Sequence, residues 1–240
     1  MAAPTAYRDV WQRKPALRAV YGDIYQRIGA QMADGRTLEI GGGSGNLKAL
    51  RPQTVSTDIQ FAPWLDAVCD AQRLPFAAGQ FDNVVMVDVL HHIEFPLHAL
   101  REFHRVLRPD GRLIFCEPAI TPLGGLFYRL FHEEPVDMSA DPLAEGTISA
   151  GRDPWLSNQA IPTLLTGKYR ERMATLFPGL ELAATERFSF LAYPLSGGFK
   201  EWSLLPSALA QPLLSAEWGA RRLLGPLAAF RLLAVYRRAS

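Results

Sequence analysis

The stretch LEIGGGSGNL, residues 38–47, carries the strongest signal for the fold. It begins as a short apolar strand and runs into four glycines, at positions 41, 42, 43 and 45. Glycines at a strand end let the backbone pass close to a ligand that a side chain would obstruct. The stretch therefore predicts a nucleotide-type ligand at the carboxyl end of a buried strand.

The spacing of these glycines narrows the class of ligand. A dinucleotide fingerprint, GxGxxG, needs a third glycine or alanine where this chain has Asn46, and a phosphate-binding P-loop needs a GK[ST] ending that is absent. The spacing ExGxGxG fits fully, from Glu39 to Gly45. A carboxylate two residues before the first glycine suits a positively charged ligand and is a poor neighbour for a pyrophosphate. S-adenosylmethionine has the required sulfonium and ammonium and no phosphate.

Apolar strand-like and helical segments alternate along residues 37–118. Strand patterns cover 37–41, 54–59, 66–71, 81–90 and 112–118, and an amphipathic helix is predicted over 96–107, followed by a PDG turn. This alternation predicts a parallel α/β sheet, with its ligand at the carboxyl edge. One or two helices are predicted over 7–32, with Pro15 at a break or in a first turn, and residues 203–225 are predicted to form two short helices.

Acidic residues follow the predicted strands at regular intervals. Asp58, Asp70 and Asp88 each lie at or just after a strand end, so they converge with Glu39 at one edge. Asp58 is placed to accept hydrogen bonds from ribose hydroxyls, and Asp70 with the Ala71 backbone N–H to bind an adenine. Taken singly, each aspartate is equally typical of a solvated loop or a helix N-cap.

With these stretches in view, residues 38–118 resemble the class I S-adenosylmethionine-dependent methyltransferases of the type 11 or UbiE-like group. The matching segments are LEIGGGSGNL, VSTDI, CDAQRLPFAAGQFDNVVMVDVLHHI and LREFHRVLRPDGRLIFCEP. The resemblance implies a Rossmann-like, seven-stranded, mostly parallel sheet with helices on both faces, a reversed last strand and a helical or irregular lid insert. It also implies that the cofactor is held by these residues: Glu39, Gly41, Gly42, Gly43, Gly45, Asp58, Ile59, Asp70, Ala71 and Asp88.

The chain divides into four predicted parts. An N-terminal helical segment covers 1–36, the cofactor-binding core 37–118, an insert or lid with a helix 119–170, and the C-terminal part of the core with acceptor-site helices 171–240. The aromatic, glycine-containing stretches after the core predict a mobile, mostly apolar acceptor pocket, and core packing of extra helices explains them equally well. The candidate pocket residues are Tyr128, His132, Tyr193 and Trp202.

His91 and His92 follow the fourth strand, where an acceptor approaches, and are candidate general bases for transfer to a hydroxyl. The alternative is that at least one of them packs and hydrogen-bonds to the backbone. The chain lacks the Asn/Asp-Pro-Pro-aromatic signature of amine methylation in bases and glutamine. A small-molecule, lipid-like or saccharide acceptor, methylated on oxygen, is therefore expected.

Charge, cysteine content and hydropathy argue against nucleic-acid binding, a metal site and a membrane span. The net charge is +1 and no basic patch is visible, which argues against a nucleic-acid partner. Cys69 and Cys116 form no CxxC or Cys/His cluster, so no metal site is expected and both thiols are predicted to be free. No apolar leader or 18-residue apolar run is present, and a cytoplasmic protein without a membrane span is predicted.

The arginines near the C-terminus, namely Arg221, Arg222, Arg231, Arg237 and Arg238, flank apolar residues. They suit either a peripheral membrane contact or a helix and strand with solvated arginine tips. The oligomeric state is left open. Two other functions remain alternatives, an NAD-dependent reductase or epimerase and a non-catalytic cofactor-binding module. The first lacks the YxxxK pair, and the intact glycines and acids weigh against the second.

Overall fold

The computed structural model describes residues 4–239, which form a seven-stranded sheet in the order β3-β2-β1-β4-β5-β7-β6. Strand β7 runs antiparallel to both of its neighbours, and the other pairs are parallel. The predicted mostly parallel sheet with a reversed last strand is confirmed. The strands are β1 (Thr37–Ile40), β2 (Val55–Asp58), β3 (Ala67–Val68), β4 (Phe81–Val87), β5 (Leu107–Pro118), β6 (Leu180–Phe188) and β7 (Arg231–Arg238).

Nine α-helices lie within the described residues. They are α1 (Pro4–Arg13), α2 (Pro15–Gln31), α3 (Asn46–Leu50), α4 (Pro96–Val106), α5 (Pro122–Phe131), α6 (Ile161–Thr166), α7 (Arg170–Leu176), α8 (Ala192–Ser196) and α9 (Ser207–Ala228). A 3₁₀ turn covers Leu90–His92. Pro15 and Pro96 stand in the first turns of α2 and α4, where the missing backbone N–H has no intrahelical partner to lose. Helix α3 is as short as the spacing between Gly45 and Asp58 predicts.

Strand β4 shows how the sheet divides the core into two apolar layers. Val84 and Met86 point to the layer that contains the apolar face of α4 with α6 and α7. Val85 points to the opposite layer, built from α2, α8 and α9. Because successive side chains of a strand face opposite sides, a strand covered on both faces must be apolar throughout. This explains the valine-rich run over residues 84–87.

Two local predictions are wrong. Residues 203–225, predicted as two short helices, contribute to one helix, α9, which begins at Ser207, continues through Pro212 and ends beyond Pro226. Its buried side, which includes Ala210 and Leu214, packs in the layer with α2, and this packing outweighs the local cost of proline. The PDG turn before β5 lies within that strand instead, as an irregularity in the β4–β5 register at which Asp110 adopts a φ of 63°.

The segment after β5 carries α5, then residues 132–160 without a regular helix or strand, then α6 and α7. Residues 161–177, predicted as one helical stretch, form two short helices separated near Gly167. The four-part division of the chain stays a prediction. The first five strands nevertheless bring their carboxyl ends to one edge, and β1 and β4 lie side by side where the strand order reverses. A ligand crevice is expected at that point.

Candidate functional site

A single large cavity of about 1080 Å³ opens at this edge of the sheet. Its wall contains most of the residues predicted from the sequence, while Gly45 and Tyr128 lie behind it. The predicted residues in the wall are Glu39, Gly41, Gly42, Gly43, Asp58, Ile59, Asp70, Ala71, Asp88, His91, His92, His132, Tyr193 and Trp202. We call the part formed by Glu39, Gly41, Gly42, Gly43, Asp58 and Asp70 the glycine end.

The glycines of the loop after β1 serve different purposes. Gly41, Gly43 and Gly45 all have positive φ angles, of 70°, 40° and 78°. A Cβ at Gly41 would lie 2.2 Å from Val89, and one at Gly45 would lie 2.6 Å from Trp64. The protein's own packing therefore requires these two glycines. A Cβ at Gly43 would meet the Gly41 carbonyl at 3.8 Å and Asp58 Oδ2 at 3.9 Å, which are ordinary contact distances. Only Gly43 of these three leaves room for a ligand.

The two aspartates of the glycine end fix their own loops. Asp58 accepts a hydrogen bond from the Gly43 N–H (2.9 Å) and another from the Gln60 N–H (2.9 Å). Asp70 accepts one from the Gln72 N–H (2.8 Å). Bonds to the residue two positions on are Asx turns, the local role that each aspartate suggests when taken alone. An ionised carboxylate has about four acceptor sites, so both side chains keep capacity for a ligand's hydrogen-bond donors.

Glu39 is a buried carboxylate at the start of the glycine end, only 5% exposed. Its Oε2 accepts a hydrogen bond from the Ser56 hydroxyl at 2.5 Å. Burial raises the pKa of Glu39 to about 7, and Asp58 adds to the rise although the Ser56 hydrogen bond opposes it. A buried carboxylate gains most when a cation arrives beside it, because the cation replaces the missing solvation. The position therefore suits a ligand ammonium or sulfonium.

Asp88 stands between the glycine end and the rest of the cavity, with a φ of 57°. Its Oδ1 lies 2.6 Å from Nη1 of Arg231, and its Oδ2 accepts a hydrogen bond from the Tyr21 hydroxyl at 2.8 Å. Arg231 is fully buried and its guanidinium lies over the Tyr193 ring, 4.8 Å from the centroid. The expectation of a solvated tip is wrong for Arg231, because β7 is an inner strand covered on both faces.

His91 is buried, with a carboxylate at each ring nitrogen. Nδ1 lies 2.5 Å from Oε2 of Glu117, and Nε2 lies 3.3 Å from Oε2 of Glu134. Burial lowers the pKa of His91, but the two carboxylates outweigh it and raise the pKa to about 10. His91 is therefore packed as the alternative predicted, but it pairs with the Glu117 carboxylate and not with a backbone group. Since both nitrogens are engaged, the geometry lends no support to His91 as a general base.

His92 differs from its neighbour. Its Nε2 lies 4.0 Å from Oε1 of Glu134, and its Nδ1 is buried without a hydrogen-bond partner in the described part of the chain. Burial, together with His91, lowers the pKa of His92 to about 4. The ring is therefore neutral at physiological pH and is not tied to a neighbour by a short hydrogen bond. Its predicted catalytic role stays a prediction.

The opposite part of the cavity, which we call the aromatic end, is formed by Tyr7, Phe127, Phe131, Trp155, Phe199 and Trp202. Tyr7 contacts Trp155 and Phe199 edge to face, with centroids 6.0 and 5.1 Å apart. Helix α1, the insert and the loop after α8 thus meet around one chamber. Tyr193 also lies in the cavity wall, and its buried hydroxyl has a pKa raised to about 12, first by burial and then by Asp88.

Two predicted pocket residues of α5 and its end take different positions. Tyr128 is 1% exposed and its hydroxyl donates to the Phe230 carbonyl at 3.0 Å, so the prediction that it faces the acceptor is wrong. His132 lines the cavity, and its Nδ1 lies 3.3 Å from Nε2 of Gln159. Two other residues of α5, Phe127 and Phe131, line the cavity instead.

Several residues of the wall were not predicted. Glu134 sits in the acidic stretch of the insert, which had no helical or strand period to show which way its side chains point. Tyr7 belongs to an aromatic pattern that equally indicates core packing. Lys14 lies behind the wall, where Nζ is within hydrogen-bond distance, 2.6–2.8 Å, of four carbonyls of residues 196–202 and shares its three N–H donors among them. A lone lysine between two helices gives no sequence signal for such a role.

Comparison with known proteins agrees with the geometry of the glycine end. Residues 38–115 match the family model described as a methyltransferase domain. This core is a class I S-adenosylmethionine-dependent methyltransferase domain. The demethylmenaquinone methyltransferase of Mycolicibacterium vanbaalenii is 39% identical over 87 residues, 36% of this chain and 37% of that protein. The Streptomyces griseus protein of the same name is 35% identical over 98 residues, 39% of this chain and 40% of its own length.

The matched stretch spans well under half of the length of these relatives. Solved structures share the fold over more than 90% of this chain. A SAM-dependent methyltransferase from Thermotoga maritima, titled a possible histamine N-methyltransferase, covers 93% of this chain and 91% of its own, with a TM-score of 0.56 at 14% identity. A putative methyltransferase from Bacillus halodurans covers 91% and 98%, with a TM-score of 0.52 at 16% identity.

The residues of the methyltransferase domain fit the cofactor of this class, S-adenosylmethionine. Gly43 lines the cavity without a close contact that would exclude a ligand, and Glu39 and Asp58 line the same cavity with carboxylates. The lysine and arginine among the described lining residues, Lys200 and Arg152, come from the other parts of the chain. Among the described residues, no lysine or arginine lines the glycine end, which makes it a poor site for a pyrophosphate. None of the helices in the described part of the chain is both long and apolar enough to span a bilayer.

Proposed function

We propose that the protein transfers the methyl group of S-adenosylmethionine to an oxygen atom of a small, lipid-like acceptor. The observation that carries this proposal is the continuity of one cavity from the glycine end to the aromatic end. The first suits a cationic adenosine compound, and the second suits an apolar body. The curated relatives named demethylmenaquinone methyltransferases support a lipid-like acceptor over a saccharide.

At the glycine end, each proposed contact follows from a carboxylate or an N–H that faces the cavity. Asp58 accepts hydrogen bonds from the ribose hydroxyls, and Asp70 with the Ala71 N–H binds the adenine. Glu39 attracts the positive charge of the methionine portion, while Gly43 leaves the space that portion needs. Asp88, held by Arg231 and Tyr21, borders the same portion. When bound, the cofactor supplies a methyl group activated by its attachment to a sulfonium.

At the aromatic end, the walls bind the acceptor and exclude water from the reacting atoms. Positioning a nucleophile in line with the methyl group supplies much of the acceleration in such transfers. His92 and Glu134 are polar groups of the cavity wall that lie beyond Asp88, where the acceptor's reacting end must approach. A hydroxyl there finds a carboxylate to accept its hydrogen bond. This arrangement supports oxygen as the methylated atom.

Calorimetry tests the cofactor assignment directly. We expect the protein to bind S-adenosylmethionine and not NADH, and Asp58→Ala to weaken binding about 100-fold, because two charge-assisted hydrogen bonds are lost. Asp141→Ala is the matched control, since Asp141 makes the same Asx turn, to Leu143 at 2.9 Å, away from the cavity wall. NADH binding, or equal losses in both variants, would contradict the assignment.

Transfer itself is tested with S-adenosylmethionine that carries a labelled methyl group. The protein is offered apolar phenols and quinols in one series and saccharides in another, and the product is identified by mass spectrometry. We expect the label on an oxygen atom of an apolar acceptor. Label on a saccharide, or on carbon or nitrogen of the apolar acceptor, contradicts the proposed acceptor class or atom while leaving the cofactor assignment intact.

A further inference from the structure

Three potential metal ligands meet in the wall of the cavity beyond Asp88. His91, His92 and Glu134, here called the histidine–glutamate cluster, each offer one ligand atom within 4.8 Å of the others. The two histidines come from the 3₁₀ turn after β4, and Glu134 comes from the irregular segment after α5. Two elements far apart in the sequence thus place imidazole and carboxylate ligands at one point of the cavity.

The distances in the cluster suit a divalent transition metal ion. Nε2 of His91 lies 3.3 Å from Oε2 of Glu134, and Nε2 of His92 lies 4.0 Å from Oε1 of the same carboxylate. Ligand atoms at about 2.0–2.1 Å from a tetrahedral ion are about 3.3 Å apart. The first distance already matches this value, and the second needs a small movement of His92. All three ligand atoms lie within 4.8 Å of one another, so movements of the side chains by about 1 Å bring them to this spacing.

The surroundings of the cluster resemble the support that metal-binding histidines receive. Glu117 lies 2.5 Å from Nδ1 of His91, which leaves Nε2 to face Glu134. The other oxygen of Glu117 accepts hydrogen bonds from the N–H groups of Val89 and Leu90, at 2.8 and 2.9 Å. A carboxylate that fixes the far nitrogen of a histidine orients the ring and raises its basicity as a ligand.

Glu134 is positioned in the same way from the other side. Nε2 of Gln159 donates to its Oε2 at 2.8 Å, so the carboxylate is aimed at the histidines before any ligand arrives. His92 has no hydrogen bond at Nδ1 among the described residues. Its Nε2 faces Glu134 and is the nitrogen that would bind the metal. The cluster thus has two fixed ligands and one that is free to adjust.

We propose that the histidine–glutamate cluster binds a divalent transition metal ion of the zinc type, with its remaining coordination position open to the cavity. Two histidines and one carboxylate with an open position form a ligand set typical of catalytic zinc. This inference rests on the proposed function, because its purpose is to hold the acceptor's oxygen. The expectation from the sequence that no metal site exists was drawn from the cysteines, and it overlooked Glu134.

An ion at this position favours the deprotonated form of an acceptor hydroxyl, as it does for bound water. The hydroxyl proton leaves to solvent, the oxygen forms a bond to the methyl carbon, and the electron pair of the broken carbon–sulfur bond stays on sulfur. The sulfonium becomes a neutral thioether, so charge and atoms balance without an oxidant or reductant. This assigns to the metal the activation that His91, with both nitrogens engaged, does not offer.

Metal binding is tested on the full chain without cofactor or acceptor. Protein stripped with a chelator is titrated with Zn²⁺ by calorimetry and with Co²⁺ by visible absorption, which reports tetrahedral nitrogen and oxygen ligation. We expect one ion per chain, with at least about tenfold weaker binding in Glu134→Gln and in His92→Asn. Glu117→Gln, a change at a positioning residue, is expected to weaken binding by about 10–100-fold.

The matched control is His98→Asn, because His98 forms a pair with Glu145 at 3.2 Å on the surface, away from the cavity wall. This variant is expected to bind Zn²⁺ as the wild type does. Equal affinity in wild type and Glu134→Gln, or an equal loss in His98→Asn, would overturn the metal site. S-adenosylmethionine affinity, measured in parallel on the same variants, is expected to stay unchanged, so a folding defect or a wrong cofactor assignment shows up separately.

Discussion

The glycine end and the aromatic end of the cavity are built in opposite ways. The glycine end comes from one stretch of chain, residues 39–70, in which β1, β2 and β3 end side by side. The aromatic end is assembled from Tyr7 in α1, Trp155 in the insert and Trp202 near α9. A ligand site formed by adjacent strands is a local property of the sequence, whereas the second site exists only once the whole chain has folded.

The two ends also differ in their electrostatics. At the glycine end, acidic side chains face the cavity and Glu39 resists ionisation because it is buried. At the aromatic end, the side chains are uncharged aromatic rings, and His91, elsewhere in the cavity wall, is already paired with Glu117 and Glu134. The first end is thus prepared for an incoming cation, and the second for an apolar ligand. Changes in charge are therefore expected to act differently at the two ends.

The largest expected effect comes from Arg231, which connects the last strand to Asp88 between the two ends. In Arg231→Met the Asp88 carboxylate, 26% exposed, loses its buried partner. We expect the free energy of unfolding to fall by about 3 kcal/mol, at the lower end of the range for broken buried pairs because Asp88 reaches some solvent. Urea unfolding measures the change.

Two variants make this result specific. Arg237→Met removes an exposed partner of Asp110 from the same strand, and we expect little change in the free energy of unfolding, because solvent screens this pair. Adding Asp88→Asn to Arg231→Met is expected to restore part of the loss, because the unpaired charge is then gone. If the double variant is less stable than Arg231→Met, the ion pair is not what connects the two regions.

The next effect concerns the pH dependence of cofactor binding at the glycine end. The pKa of Glu39 is raised to about 7, so the carboxylate that attracts the cofactor's positive charge is mostly protonated at pH 5.5. We expect affinity for S-adenosylmethionine to increase about tenfold between pH 5.5 and pH 7. Calorimetry across this range measures it. Glu39→Gln should bind more weakly, with little dependence on pH.

The raised pKa of Glu39 also determines how the stability of the folded protein depends on pH. Because the pKa of Glu39 is higher in the folded chain than in the unfolded one, its contribution to stability is present below pH 4.5 and is lost as the pH rises through 7. Glu39→Gln is therefore expected to raise the stability of the cofactor-free protein at pH 8, by up to about 3 kcal/mol, and to change it little at pH 4.5. A variant that is less stable at pH 8 would show that Glu39 is not strained by burial.

Sequence reasoning reached the glycine end because its signals are local. The ExGxGxG spacing and the acids after successive strands place Glu39, Asp58 and Asp70 without knowledge of the remaining chain. Even there, the sequence did not predict why two of the glycines are required. Gly41 and Gly45 are required by Val89 and Trp64, which are distant in sequence. The pattern shows where glycine stands but not which neighbour excludes a side chain.

The remaining features depend on tertiary contacts that leave no periodic trace. Arg231 is buried because β7 inserts between β5 and β6, and an arginine in an apolar strand reads the same whether it faces solvent or Asp88. Helix α9 continues through Pro212 because of what it packs against. Glu134 lies in an irregular segment, so nothing in its neighbourhood indicates that it faces two histidines.

The smallest effect tests whether the aromatic end can be loosened alone. The Lys14 ammonium shares its three N–H donors among the carbonyls of Ser196, Gly198, Lys200 and Trp202, which orders a loop of the cavity wall. Lys14→Met keeps the apolar stem and removes these bonds, at a cost of about 1–2 kcal/mol. We expect faster amide hydrogen exchange in residues 196–204 and unchanged affinity for S-adenosylmethionine.

Lys48→Met provides the comparison, because Lys48 pairs with Asp66 at 2.5 Å behind the glycine end. Exchange in residues 196–204 should be the same in this variant as in the wild type. If Lys14→Met weakened cofactor binding as much as it loosened the loop, the two ends would behave as one cooperative unit, and the contrast between them would fail. If exchange increased only in the loop, the aromatic end opens by itself, which allows an acceptor to enter while the cofactor stays bound.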